Sequence, residues 1–216
     1  MNNKQKHRII VYVAILLAIL TFAYLNNNDK PASRQVCSIY LQKIHEIVQD
    51  GDIITRLGDR LWSDIIRDKS VEDKRFSHVG VVRVRNEQIS VVHAEGTTVR
   101  GNDFVKEEPL EDFLQWSRAI GIYRVGNICG IEISNLSIEY IGIPFDWRFD
   151  LTDETTMYCT ELIKVIFGRL NPEIVLSTVF VKELGREIIP LESISNSEFF
   201  EEIITVGVLR RMSCIL

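Results

Sequence analysis

The residues with the greatest capacity for chemistry in this 216-residue chain are one cysteine and two histidines. Cys159 lies in Met157-Tyr158-Cys159-Thr160-Glu161-Leu162, directly before a helical stripe of Leu162, Ile163, Ile166 and Phe167 that stops at Gly168. A thiol on the first turn of a helix feels the partial positive charge of unpaired backbone N–H groups, which favours thiolate over thiol. His78 lies in Phe76-Ser77-His78-Val79-Gly80, and His93 in Val91-Val92-His93-Ala94-Glu95-Gly96; both segments are strand-like. A thiol, a base and an orienting group are the parts that nucleophilic catalysis by cysteine needs. A lone cysteine is often a small buried hydrophobe, and a histidine in a valine-rich strand is often a core residue. Two histidines on one face together with a helix-start cysteine favour chemistry. The other two histidines, His7 and His45, fall in a basic flank and on the first helix.

The histidines must be positioned by a hairpin. Two valine-rich runs, His78 to Val84 and Glu87 to Ala94, flank a polar turn around Arg85-Asn86. With a two-residue loop Val84 pairs with Glu87, and His78 stands opposite His93. With a four-residue loop the register shifts by two and Glu95 stands opposite His78. The turn lacks the Asn-Gly or Gly-x signature that would decide. Either register keeps a polar partner beside His78, because directly opposed residues share a face.

A metal is the competing chemistry. His78, His93, Cys159 and Glu95 carry nitrogen, sulfur and oxygen donors suited to zinc. No CxxC, HxxxH or HExxH spacing occurs, so neither metal nor cofactor is expected.

The remaining elements frame these residues. Ser33 can cap a helix with Val36, Tyr40, Ile44 and Ile47 on one stripe, ending near Gly51. Asp52 to Thr55 reads as a short strand, and Leu57, Leu61, Trp62, Ile65 and Ile66 as a short helix inside a long loop. Pro109 opens a short helix through Leu114, with Glu107, Glu108, Glu111 and Asp112 as its solvated start. Ala119 to Val125 reads as a strand, Ile131 to Ile141 as a helix, and Phe180 to Pro190 and Ile203 to Arg210 as closing elements. Short strands and helices without βαβ regularity predict an α+β domain.

The N-terminus differs in character. Lys4, Lys6 and Arg8 precede an uncharged run from Ile9 to Leu25, seventeen residues that span about 26 Å as a helix, against a ~30 Å hydrocarbon core. No clear Ala-x-Ala site follows. Residues 1–32 are therefore read as a signal anchor or signal peptide with a polar linker, and 33–216 as the domain, placed across the membrane from the basic flank. Cys37, Cys129 and Cys214 have no metal-like spacing; a Cys37–Cys214 bridge is possible there, but three free thiols is the simpler reading. A net charge of −5 and the lack of a basic stripe give no reason to expect nucleic acid. Oligomeric state is not legible.

Five motifs in order carry a resemblance: Gly51-Asp52-Ile53-Ile54, Phe76-Ser77-His78-Val79-Gly80, Val92-His93-Ala94, Gly142-Ile143-Pro144-Phe145-Asp146 and Tyr158-Cys159-Thr160-Glu161-Leu162. From about Gly51 to Pro190 the chain resembles the permuted papain-like cysteine hydrolases of the NlpC-type superfamily, YiiX/YebB-like group. The resemblance implies a circularly permuted papain-like domain with an antiparallel sheet packed on helices. It also implies Cys159 as nucleophile and His78 as base. The third position falls at His93, where bacterial relatives often carry glutamate, so the orienting role stays open between His93 and Glu95. Tyr158 is either a helper of the orienting or oxyanion function or a packed core residue; Gly142 and Asp146 read as structural support. The expected activity is amide cleavage in a peptide or acyl-amide substrate through an acyl-cysteine. Acyl transfer or thioester/ester hydrolysis at the same site, and a noncatalytic envelope binding module, are the alternatives. The loops 56–75 and 97–108 are the expected walls of the substrate groove.

Overall fold

Alternation of β-branched and polar residues drives Ile53–Gly58 (β1), His78–Arg85 (β2) and Gln88–Glu95 (β3) into extended structure, and these strands form one end of a sheet's interior. The structure is a computed structural model that describes residues 38–58, 61–96, 103–115 and 117–206. Its other elements are α1 (Ser38–Ile47), α2 (Leu61–Arg67), β4 (Phe104–Pro109), α3 (Leu110–Leu114), β5 (Ser117–Arg124), α4 (Gly130–Ile138), α5 (Cys159–Leu170), β6 (Val179–Val181), β7 (Arg186–Ile188), α6 (Glu192–Ser195) and β8 (Glu201–Val206). Six strands pair antiparallel in the order β4-β3-β2-β1-β5-β8, and β6 pairs with β7 as a separate ribbon. The α+β class expected from the sequence is the one observed.

Strand alternation splits the core between two faces. On one face Ile53, Val79, Val81, Val92, Ala94 and Tyr123 pack with Leu162, Ile163, Ile166 and Phe167 of α5. On the other, Ile54, Val82, Val91, Ile120 and Ile122 pack with Ile44 of α1 and Leu110, Phe113 and Leu114 of α3.

The β2–β3 register is the one that sets Glu95 in line with His78: Val81 pairs with Val92, Val84 with Ile89 and Arg85 with Gln88. The loop is nevertheless only two residues long. Asn86 and Glu87 both take the left-handed conformation, at φ 50° and 65°, which a tight hairpin turn requires. The alternative pairing of Val84 with Glu87 is thereby excluded. Continued along the strands, this register sets Gly80 against His93, and a Cβ on Gly80 would lie 3.0 Å from His93 Cβ and 2.9 Å from Val92 O. Glycine permits that approach.

Two readings of local sequence are corrected. Phe104–Pro109 is strand β4, pairing His93 with Lys106 and Val91 with Glu108, where a loop and the solvated start of a helix were expected. Its charge density and terminal proline suit a sheet edge, where charged side chains and a missing N–H are tolerated. Leu57 belongs to β1, and only Leu61–Arg67 is helical. The Ile9–Leu25 segment, Cys37 and Cys214 lie outside the described residues. Among those described, no helix is long and apolar enough to cross a membrane.

Candidate active site

Cys159 is the first residue of α5 and is buried. Its flanking side chains hold the helix start against a single residue: Tyr158 Oη accepts the Ile189 N–H at 2.9 Å, and Thr160 Oγ1 donates to the Ile189 carbonyl at 2.7 Å. Glu161 closes the turn by accepting the Tyr158 N–H at 3.4 Å, half of a capping box. The Pro144–Asp150 loop braces the segment before it. Met157 N–H donates to Pro144 O, Asp146 N–H to Met157 O, and the Asp146 carboxylate accepts the N–H groups of Arg148 and Asp150.

The thiol reaches β2 at Val79, the residue after His78. The pairing of β2 with β3 ends at Val81–Val92, and the Val79 N–H is directed at the Cys159 sulfur. Burial pushes the thiol up to about 11, against the backbone N–H groups of Val79 and Thr160 and the Arg56 guanidinium, which act to lower it. The helix-start N–H groups thus act toward thiolate as expected, but burial acts against them and is the larger effect. In a dry site desolvation of the anion outweighs a few fixed dipoles.

His78 and His93 meet directly: Nε2 of His78 and Nδ1 of His93 are 2.8 Å apart, with the rings nearly perpendicular. In the observed register they are diagonal neighbours rather than opposed, and side-chain reach closes the diagonal. Both rings lie against Phe113, at centroid distances of 5.7 and 5.1 Å. Burial holds His78 well below its usual value, helped by Arg56; burial also lowers His93, while Glu108 opposes that shift.

Behind the histidines is a set of charges on the same sheet face. Arg56, paired with His78 across β1–β2, stacks 4.4 Å above the Phe113 ring, donates to the Phe113 carbonyl and lies 3.2 Å from Glu95 Oε1. Lys106 Nζ sits between Glu95 Oε2 (2.5 Å) and Glu108 Oε2 (2.8 Å). Glu108 Oε1 lies 3.0 Å from His93 Nε2, off the axis of an aligned hydrogen bond. Burial alone would raise the Glu108 carboxyl; His93 and Lys106 instead bring it down to about 2.

Of the residues singled out in the sequence, the structure thus joins His78 to His93 and sets the Cys159 sulfur at the next residue of the same strand. Glu95 is engaged by Arg56 and Lys106 instead, and the Tyr158 hydroxyl by Ile189. Glu108 was missed because it reads as one more charge in an acidic run; only its strand pairing opposite Val91 turns it toward His93. Among the described residues, the donors that cluster as a metal could use them are His93, Glu95 and Glu108, not Cys159. They do not fit an ion as they stand, because the Lys106 ammonium already occupies both carboxylates.

The fold resembles a solved structure described as the metalloprotein yiiX from Escherichia coli O157:H7, with a TM-score of 0.62 at 17% identity, covering 74% of this chain and 98% of that one. At that identity the likeness shows the fold alone. No curated protein matches. The model of the permuted papain-like amidase enzymes matches residues 47–190, which span every element from β1 to β7 and both histidines as well as the cysteine. The chain is a cysteine hydrolase belonging to the permuted papain-like amidase family YaeF/YiiX, C92.

Proposed function

We propose that Cys159 is the nucleophile, His78 the general base and His93 its orienting partner, acting on a peptide or acyl-amide substrate. One observation carries this reading: a helix-start thiol lies at the residue following a histidine whose Nε2 is already held by a second histidine. With Nε2 engaged, Nδ1 of His78 is the nitrogen left for the thiol. Burial disfavours the charged form of both groups, so the proton is read as moving during attack.

As sulfur bonds to the carbonyl carbon, the S–H proton passes to His78 Nδ1. The Cys159 backbone N–H at the start of α5 faces the developing oxyanion. Collapse breaks the C–N bond, and the imidazolium gives its proton to the leaving amine. Water then attacks the thioester with His78 again taking a proton, releasing the carboxylic acid and restoring the thiol.

The domain is assigned to the extracytoplasmic side of a membrane, either held by the Ile9–Leu25 segment or released by cleavage after it. That placement is supported by the sequence: a basic flank, an uncharged run and a polar linker.

The test is trapping with an activated N-acyl amino acid ester. The full chain should carry the acyl mass on the Cys159 peptide, and His78→Ala should abolish it. An unlabelled Cys159 in folded protein, with ready labelling after denaturation, overturns the nucleophile. Protease protection of the domain in intact cells, lost on opening the envelope, checks its side; degradation by a cytoplasmic protease alone overturns it.

A further inference from the structure

The chain of contacts at the site does not end at His93. A carboxylate only accepts hydrogen bonds, so Glu108 Oε1, 3.0 Å from His93 Nε2 although off the axis of an aligned bond, favours the proton on that nitrogen. A bare nitrogen there would set two lone pairs against each other in a residue with no solvent access. Burial disfavours the charged form of His93, and in the neutral ring Nδ1 is then bare and accepts from His78 Nε2, 2.8 Å away. The same holds for His78, whose own Nδ1 is then bare. Each assignment forces the next.

We propose that Glu108 is a positioning residue that sets the tautomers of both histidines through this chain, leaving His78 Nδ1 as the basic nitrogen. This rests on the reading of His78 as the base for Cys159. Glu108 touches neither substrate nor sulfur; it acts through His93. Through His93 it also supports the imidazolium that forms when His78 takes the thiol proton, one residue further removed than an orienting carboxylate on a catalytic histidine.

Lys106 gives the arrangement its direction. Its ammonium, 2.8 Å from Glu108 Oε2, can only donate. An amide placed at 108 would therefore turn its oxygen toward Lys106 and its NH2 toward His93. A donor facing His93 Nε2 strips the proton from that nitrogen, moves it to Nδ1 and makes His93 donate to His78. His78 Nδ1 then carries the hydrogen and cannot act as a base. The other charged groups facing the pair, Arg56 from β1 and Glu95 from β3, bond to each other and not to the imidazoles. On the α3 side the pair meets the Phe113 ring.

The experiment uses the full chain, 15N-labelled at histidine, with His7 and His45 assigned by single glutamine variants. In the parent protein both His78 and His93 should show protonated Nε2 and bare Nδ1. Glu108→Gln, which keeps the shape, should invert both tautomers and lower kcat by about 10⁴-fold with KM little changed, the scale seen when a histidine is held in its wrong tautomer. Lys106→Met combined with Glu108→Gln frees the amide to rotate, and should restore the Nε2–H tautomers and at least tenfold of the lost kcat. Parent tautomers with Nδ1–H on His78, or a Glu108→Gln protein with unchanged tautomers and kcat, would overturn the proposal. The spectra do not depend on turnover: an inactive protein with the expected tautomers and inversion sinks the catalytic reading and leaves the chain standing.

Discussion

Tyr158 and Ile189 are joined by a buried hydrogen bond in which the Ile189 N–H donates to the phenol oxygen at 2.9 Å. The bond ties the start of the cysteine helix to the chain leaving the β6–β7 ribbon. It gives the aromatic hydroxyl before Cys159 a structural task, because its oxygen satisfies a buried backbone N–H.

Tyr158→Phe should therefore behave as a stability variant. It strands a buried N–H, which costs about 1–3 kcal/mol. Thermal unfolding should shift down while kcat stays within a few-fold of the parent. A 100-fold loss of kcat at unchanged Tm would instead make Tyr158 a catalytic residue.

Gly80 lets β2 approach His93, so Gly80→Ala should disturb the histidine pair itself. The added methyl meets Val91 Cγ1 at 2.5 Å as well as the Val92 carbonyl. Overpacking of this kind costs about 1–3 kcal/mol. Both Tm and kcat/KM should fall, with Cys159 still alkylated in denaturant at the parental rate. Retention of parental Tm and kcat/KM would show that the strands absorb the methyl.

The burial of Cys159 predicts a pH dependence of its reactivity. With the thiol pushed up to about 11, alkylation by iodoacetamide should be slow at pH 7 and gain nearly tenfold per pH unit up to that value. A plateau already reached by pH 8, followed by mass spectrometry of the Cys159 peptide, would mean a preformed thiolate.

Glu161 should oppose stability at neutral pH. Burial raises its carboxyl from 4.5 to about 7. Between those values the unfolded chain ionises before the folded one, so stability is lost as pH rises through that window. Glu161→Gln keeps a neutral acceptor for the Tyr158 N–H and removes the titration. The Tm difference between variant and parent should grow from pH 4.5 to 7 and then level off. A difference flat across the window would show that the carboxyl titrates normally.

What the sequence by itself determined was local. The valine periodicity of β2 and β3, the apolar stripe behind Cys159 and the order of five motifs are properties of neighbouring residues, and periodicity reports them directly. The shared face of His78 and His93 was likewise legible, because the two candidate registers differ by two residues and a shift of two preserves the face. Tertiary structure decided the rest. The register depended on Asn86 and Glu87 adopting a conformation that their residue types do not announce. Strand β4 was hidden because an edge strand can be charged, and without it Glu108 had no position. The thiol's character turned on burial, a sum over all packed neighbours. A helix-start dipole can be read from the chain; the desolvation that outweighs it at Cys159 cannot.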